Sequence, residues 1–406
     1  MPGINDYAPI VGRGTIDDLY LLAEKLQDKK IRNINSTASG GGVAEILARM
    51  LPLLQEIGVD AHWDVITGDN KFFGITKKIH NALHGVPTDF EEGDFDYLVE
   101  VNRRNLQEME LDADVMFIHD PQPIALIEKR DEMNAKWAWR CHIDITQPDP
   151  KVMGFLEQYI KRYEAAILSA SRFSRDLPVP QFLISPSIDP LSDKNRELEP
   201  EKIDNILEKY GLDKSRPIVT QISRFDRLKD PVGVLKVYKK VKKRIDCQLV
   251  LAGGGAIDDP EGLAVLEEVK EEAEDDPDIH ILFLPPGSNI EINALQRGST
   301  VIMQKSLKEG FGLTVSEALW KGKPVIASAV GGIPLQMKHQ YSGILTHSIE
   351  GTAYYLKQLL NEPDYARELG IRGKEHVRNN FLITRHIRDY LLLFLYMEHK
   401  KELIAL

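Results

Sequence analysis

Cysteine is scarce in this chain of 406 residues: Cys141 and Cys247 stand far apart, with no partner at metal-ligand spacing. A disulfide framework is thereby excluded, no zinc site is suggested, and a reducing cytoplasm is the expected setting. Long apolar runs are missing as well. The longest late one, Tyr390 to Met397, falls far short of the ~20 residues that span a bilayer. The opening MPGINDYAPIVGRGTIDD has neither the charged start nor the apolar stretch of a signal peptide, so no membrane segment is expected. Positive charge is in deficit, 51 Lys and Arg against 62 Asp and Glu, for a formal charge of -11. Nucleic acid and anionic membranes are repelled by that balance and are not expected partners. The G-x-x-x-x-G-K-[ST] phosphate loop is absent, which argues against that class of nucleotide hydrolase, and the full dinucleotide fingerprint is absent too.

What remains is an ordinary globular composition, 43% hydrophobic and 28% charged, over a length that calls for two or more domains. Thr15 followed by Asp18 reads as a helix N-terminal box, and Ile16, Leu19, Leu22, Ala23 and Leu26 recur at helical spacing before the strand candidate IRNINS. Gly40, Gly41 and Gly42 follow, then a helical pattern ending at Gly58 and the alternation Val59, Ala61, Trp63, Val65. This is a β-α-β unit with glycines at its turn. A helix near 71–84 and the strand candidates DVMFIHD, WAWRCHIDI and EAAILSA continue the series, the last being the apolar run of a buried parallel strand.

A second series opens after the proline-rich PVPQFLISPSIDPLSD. Strands PIVTQIS, CQLVLAGGG, HILFL, TVIMQ and KPVIASAV alternate with helices over 231–245, 261–274, 289–297 and 313–322. Two doubly wound α/β domains are expected, an N-terminal one over 1–185 and a C-terminal one over 186–380, with ligand in the cleft between them. From Ser348 the pattern is helical only, and the apolar ITRHIRDYLLLFLYMEH predicts that the terminal segment, 381–406, packs back on the first domain. The acidic run EEVKEEAEDDPD reads as a solvated helix face.

Candidate chemistry gathers at strand ends. Gly40, Gly41 and Gly42 lie between a strand and a helix, where bare backbone amides suit a phosphate, although a tight turn needing positive φ accounts for them equally well. Ser223-Arg224-Phe225-Asp226-Arg227-Leu228-Lys229 places three cations directly after the first strand of the second domain, a concentration that suits a diphosphate. Gly253-Gly254-Gly255 ends the next strand and lets a nucleotide approach the sheet edge. Glu309 and Glu317 stand eight residues apart around Gly310-Phe311-Gly312-Leu313, a glycine loop that opens a helix. His142 and Asp144 alternate along one strand and share a face near its C-terminal end.

Those stretches resemble a known family. The element from Glu309 to Glu317 is similar to the E-x7-E element of the retaining nucleotide-sugar glycosyltransferases of family 4, and SRFDRLKDP, LAGGG and PVIASAVGGIP occur in that family's order. STASGGGVAEIL, WRCHIDIT, QKSLKEGFGLTVSEALWKGKPVIA and FLITRHIRDYLLLF resemble the trehalose glycosyltransferring synthases, and the likeness covers nearly the whole chain. The resemblance implies the GT-B architecture, two Rossmann-like domains facing an interdomain cleft, with the acceptor held mainly by the first and the donor by the second. It implies glucose transfer from a nucleotide diphosphate glucose to free glucose, making trehalose with retention of configuration, the reverse direction being left open.

The roles implied follow residue by residue. Arg224 and Lys229 bind the diphosphate and stabilise the leaving group, Glu309 binds hydroxyls of the donor sugar, and Glu317 binds the ribose. Gly40, Gly41 and Gly42 close over the diphosphate, Gly254 and the Gly310-Phe311-Gly312-Leu313 turn complete the donor site, and His142 lies beside the transferred sugar. Asp144 is the expected ligand of acceptor hydroxyls, with Asp120 in Ile118-His119-Asp120 an equally polar choice. With cations at the diphosphate, no metal or cofactor is required and magnesium is at most stimulatory. A homodimer is the base-rate expectation. Two rivals stand beside this reading: a trehalose phosphorylase, with inorganic phosphate in place of the nucleotide, and, further off, an inactive sugar-binding regulator on the same scaffold.

Overall fold

The computed structural model describes residues 2–38, 41–254 and 260–399. The first sheet comprises β1 (Lys30–Asn35), β2 (Asp60–Val65), β3 (Val115–His119), β4 (Lys136–Cys141), β5 (Ala165–Leu168) and β6 (Gln181–Leu183). The second comprises β7 (Ile218–Ile222), β8 (Gln248–Gly253), β9 (Ile279–Phe283), β10 (Val301–Gln304), β11 (Val325–Ser328) and β12 (Ile344–Thr346). All their pairings are parallel.

Parallel strands need helical crossovers, which cover both sheet faces, so the central strands are buried on both sides rather than alternating. Every residue of β3, β5, β7, β8 and β10 is accordingly buried. The strand order is β2-β1-β3-β4-β5-β6 in one sheet and β12-β11-β10-β7-β8-β9 in the other. Winding therefore reverses between β1 and β3 and again between β7 and β10, and at such a reversal the loops leaving two adjacent strands diverge and open a crevice.

The crossover helices begin where side chains or proline satisfy the first turn. Asp69 accepts from Phe72 N, Asp149 from Lys151 N and Val152 N, and Ser348 from Gly351 N, while Pro150, Pro200, Pro231 and Pro363 each open a helix. Thr15 does not cap. The helix Arg13–Glu24 starts at Gly12, whose φ of 87° turns the chain, and Thr15 lies within it, its hydroxyl donating to the Val11 carbonyl at 2.9 Å. The helices Asp94–Glu108 and Pro200–Lys209 and the short outer strands β6 and β12 add to the elements expected above.

The chain divides into two compact units, one running to Ser187 and joined by the segment from Ile383, the other spanning Ile188–Leu382. In the first unit, Trp137, Trp139 and Cys141 face one side of β4 and pack with Ile118, Leu126 and Val152. On the opposite face the helix Ile383–Glu398 covers Phe117, which meets Tyr390 and Phe394 edge to face at 4.9 and 5.6 Å. The second unit has its own core, built on Val219, Leu235, Tyr238, Leu249, Met303 and Ile326. No helix among the described residues is long and apolar enough to cross a membrane.

Candidate functional site

In the second unit the loops after β7 and β10 are stitched together at the reversal of winding. Gln221, on β7, accepts from Lys305 N at 2.9 Å and donates to the Lys229 carbonyl at 3.0 Å, and Leu307 N donates to the Leu228 carbonyl at 2.7 Å. Asp226 accepts from Leu228 N at 2.7 Å and shapes the cation-bearing turn Arg227–Lys229. Asp230 ends that turn at φ 48°, a conformation held by bonds from Gly233 N at 3.0 Å and Lys305 Nζ at 2.6 Å.

This frame sets Lys229 Nζ 2.7 Å from Glu309 Oε2, with the side chains 18% and 10% exposed. The pair is sheltered enough to be well oriented and open enough to exchange partners with a ligand. Ser306 Oγ donates to the same carboxylate oxygen at 3.1 Å. Arg224, on the same loop as Lys229, is 53% exposed and meets Asp226 at 3.3 Å.

The backbone at Glu309 is set by glycines. Gly331, at φ +54°, lies so close that a Cβ there would come 1.5 Å from the Glu309 carbonyl oxygen, and Gly332 N donates to the Gly310 carbonyl at 3.1 Å. Gly312, at φ 83°, turns the chain into the helix Leu313–Trp320. Gln336 fixes that turn by donating to the Phe311 carbonyl while accepting from Ser316 Oγ. Glu317 is the fifth residue of the eight in this helix, beyond the first turn where a helix end acts on charge. Lys194 Nζ lies 3.6 Å from its carboxylate, and the buried Lys321, whose Nζ bonds Asn195 Oδ1 and the Glu317 carbonyl, is drawn toward its neutral form by burial. At the end of β8 a Cβ on Gly253 would meet the Ser223 carbonyl oxygen at 1.9 Å, and one on Gly254 the Leu284 carbonyl oxygen at 3.0 Å.

In the first unit β1, the end of β3 and the loops after β3 and β4 bring together Asn33, His119, Asp120 and His142; β4 ends at Cys141, so His142 and Asp144 lie in the loop beyond it rather than along the strand as expected. His119 Nδ1 lies 3.1 Å from His142 Nε2, and His119 Nε2 lies 3.1 Å from Asn33 Oδ1. Asp120 adopts φ 66°, and its Oδ1 accepts from His142 N at 2.7 Å. Burial pushes the Asp120 carboxyl up to about 7. The same burial, with Arg140 nearby, pulls His119 down to about 3 and His142 well below the usual imidazole range. Asp144 is engaged locally, its Oδ1 accepting from the Thr146 amide at 2.9 Å and the Thr146 hydroxyl at 2.5 Å. Gly41 is extended, at φ −174°, with nothing among the described residues within 4 Å of a Cβ placed on it, and Gly42 begins the helix Gly42–Glu56, so a tight positive-φ turn does not explain these two. Gly40 and Gly255 lie outside the described residues. Among the described residues no group of three or more His, Cys, Asp and Glu is placed to hold a metal.

Residues 33–175 match the family model for the trehalose synthase N-terminal domain, and residues 202–376 match that of glycosyl transferases group 1. The trehalose synthase of Thermococcus litoralis is 42% identical over 96% of this chain and 95% of its own. The chain belongs to the trehalose synthase family of glycosyltransferases. A trehalose phosphorylase of Pleurotus pulmonarius is more distant, 29% identical over 92% of this chain and 58% of its own. The fold also matches a UDP-forming α,α-trehalose-phosphate synthase from Burkholderia xenovorans solved with glucose-6-phosphate, at 13% identity and TM-score 0.74 over 90% of this chain and 99% of that one. The two parallel α/β units are thus those of a GT-B glycosyltransferase, with the last helix returning to the first unit.

Within this family member the structure groups Arg224, Lys229, Gly254, Glu309, Gly310, Phe311, Gly312, Leu313 and Glu317 in the second unit. His142, Asp120, Asp144 and Gly41 lie in the first. Sequence reading passed over Gln221, Asp230 and Lys305, which hold the cation loop, and Asn33 and Arg140, which surround the histidines. Arg140 carried a readable signal, a lone charge inside the apolar WAWRC on the same face as His142. Asn33 carried none, because the topology alone brings β1 beside β3.

Proposed function

We propose that the chain transfers a glucosyl group from a nucleotide diphosphate glucose to free glucose, making trehalose with retention at the transferred carbon. The observation that carries this reading is the Lys229–Glu309 pair at the reversal point of the second sheet, with Arg224 on the same loop. On donor binding, Lys229 and Arg224 engage the diphosphate, and Glu309, released from Lys229, accepts hydrogen bonds from hydroxyls of the sugar. Glu317 takes the ribose. Gly254 and the Gly310-Phe311-Gly312-Leu313 turn let the donor lie against backbone, and Gly41 and Gly42 offer amides to the diphosphate.

The acceptor half of the reaction belongs to the first unit. Each of the two carboxyls has Oδ1 engaged locally, and Asp120, the less buried of them, is the one assigned to the acceptor. No side chain is assigned as a covalent nucleophile. The departing diphosphate oxygen takes the proton of the attacking hydroxyl on the same face of the sugar, while Lys229 and Arg224 stabilise the charge that accumulates on it. Those cations serve where other transferases use a metal, so no cofactor is part of the reading. Two buried free thiols, Cys141 and Cys247, favour a reducing cytoplasm.

The test is product analysis after incubating the protein with glucose and a panel of nucleotide diphosphate glucoses, beside a second mixture of trehalose and phosphate. Trehalose and a nucleoside diphosphate in the first mixture support the transferase. Glucose 1-phosphate appearing only in the second would replace it with a phosphorylase.

A further inference from the structure

The hydrogen-bond chain running from Asn33 through His119 to His142 has a direction that its partners determine. The Asn33 amide has one end that donates and one that accepts. Asn33 Nδ2 donates to the His62 carbonyl at 3.3 Å, which turns Oδ1 toward His119. An amide oxygen only accepts, so His119 Nε2 must carry the hydrogen across that 3.1 Å contact.

The next link depends on charge. His119 and His142 are faced by Arg140 and His386, with Asp120 at the His142 amide, and Arg140 is fully buried. Arg140 reaches Ser169 Oγ at 3.4 Å, and its Nε and Nη1 have no hydrogen-bond partner among the described residues. A second cation beside so poorly compensated a guanidinium is disfavoured, and burial adds to the cost of protonation. Both imidazoles therefore stay neutral. With its hydrogen on Nε2, neutral His119 has a bare Nδ1, which accepts from His142 Nε2 at 3.1 Å. His142 then has its own hydrogen on Nε2 and a bare Nδ1. The two ring planes lie 20° apart, with their centroids at 5.4 Å.

We propose that Asn33 and His119 are positioning residues that fix His142 as a hydrogen-bond acceptor at Nδ1, so that it receives a sugar hydroxyl and cannot serve as a proton donor to the reacting oxygen. This deepens the transferase reading and rests on it for the identity of the ligand. It makes a specificity statement: a sugar that presents only an acceptor to His142 is rejected, because two lone pairs would then face each other. No proton moves along the chain during turnover.

Nitrogen-15 spectra of the histidine-labelled whole protein read the tautomer without substrate. His119 and His142 should each show a protonated Nε2 and an unprotonated Nδ1, unchanged between about pH 6 and about pH 8. A hydrogen on His142 Nδ1, or an imidazolium at either residue in that range, would overturn the relay. The kinetic arm uses His119→Phe and Asn33→Leu. Each should lower kcat/KM for trehalose formation by about tenfold or more, the scale of one misdirected hydrogen bond, and the deficit should shrink when a deoxy sugar lacking the contacted hydroxyl replaces glucose in donor or acceptor. A uniform deficit with every deoxy sugar would overturn the positioning role. Failure of the transferase reading would look different, as no glucose transfer by the unaltered protein with the tautomers as stated.

Discussion

Lys229 and Glu309 carry opposite charges 2.7 Å apart, and the account gives them separable duties once donor is bound. Lys229→Ala removes the charge proposed to stabilise the leaving group and should lower turnover by about a hundredfold or more with folding intact, measured by steady-state rates beside a melting curve. Glu309→Gln alters the carboxylate proposed to hold the donor sugar and should depress turnover at saturating donor. Glu317→Gln should act mainly on the donor Michaelis constant, because ribose contacts are made in ground and transition states alike. Full donor affinity with lost turnover in Glu317→Gln would remove the ribose assignment. Asp120 makes a separate prediction about pH. Its carboxyl is raised from the ordinary 3.8 to about 7, so between those values the folded chain holds a proton that the unfolded chain has released. Stability must then fall as pH rises through that window and level off above it. Asp120→Asn should flatten the fall, and a denaturant series at several pH values would reveal it.

At the scale of elements, the segment from Glu309 to the helix Leu313–Trp320 is held by a second one, Gly331 to Gln336, which crosses it at backbone contact. Gly331→Ala adds a side chain to a positive-φ position already filled by the Glu309 carbonyl. It should cost about 2 to 4 kcal/mol and at least tenfold in turnover, since Glu309 moves with the backbone. The last helix is anchored on Phe117 by Tyr390 and Phe394, and Phe394→Ala should cost about 3 to 5 kcal/mol in thermal unfolding. Much of this layout was readable in advance. The central strands announce themselves as apolar runs, the cations of the SRFDRLK turn follow one of them, and the glutamate pair flanks a glycine turn. The helix Asp94–Glu108 escaped because it is polar, with Asn102 and Asn105 buried in it. Strands β6 and β12 escaped because three residues are too few for a period to show. Thr15 misled because a hydroxyl inside a helix can bond backward to a carbonyl as readily as it caps. The partners of the site, Gln221, Lys305 and Asn33, depend on which strands become neighbours, and strand order is not written in any one strand.

Over the whole molecule, an acidic chain of formal charge -11 places Arg224 and Lys229 on one loop at the reversal point of a parallel sheet, while Arg227 of the same loop is paired with Glu268. If those cations do the work of a metal at the diphosphate, chelation with EDTA should leave most activity in place, and complete loss restored by magnesium would contradict that assignment. The most direct measurement of the central claim follows the glucose itself. Free glucose labelled with carbon-13 at its first carbon is incubated with an unlabelled nucleotide diphosphate glucose, and the product is examined by NMR. The account predicts α,α-trehalose with the label in one ring only and one nucleoside diphosphate formed for each disaccharide. A product with a β linkage at the transferred ring, or nucleotide release without any disaccharide, would contradict it.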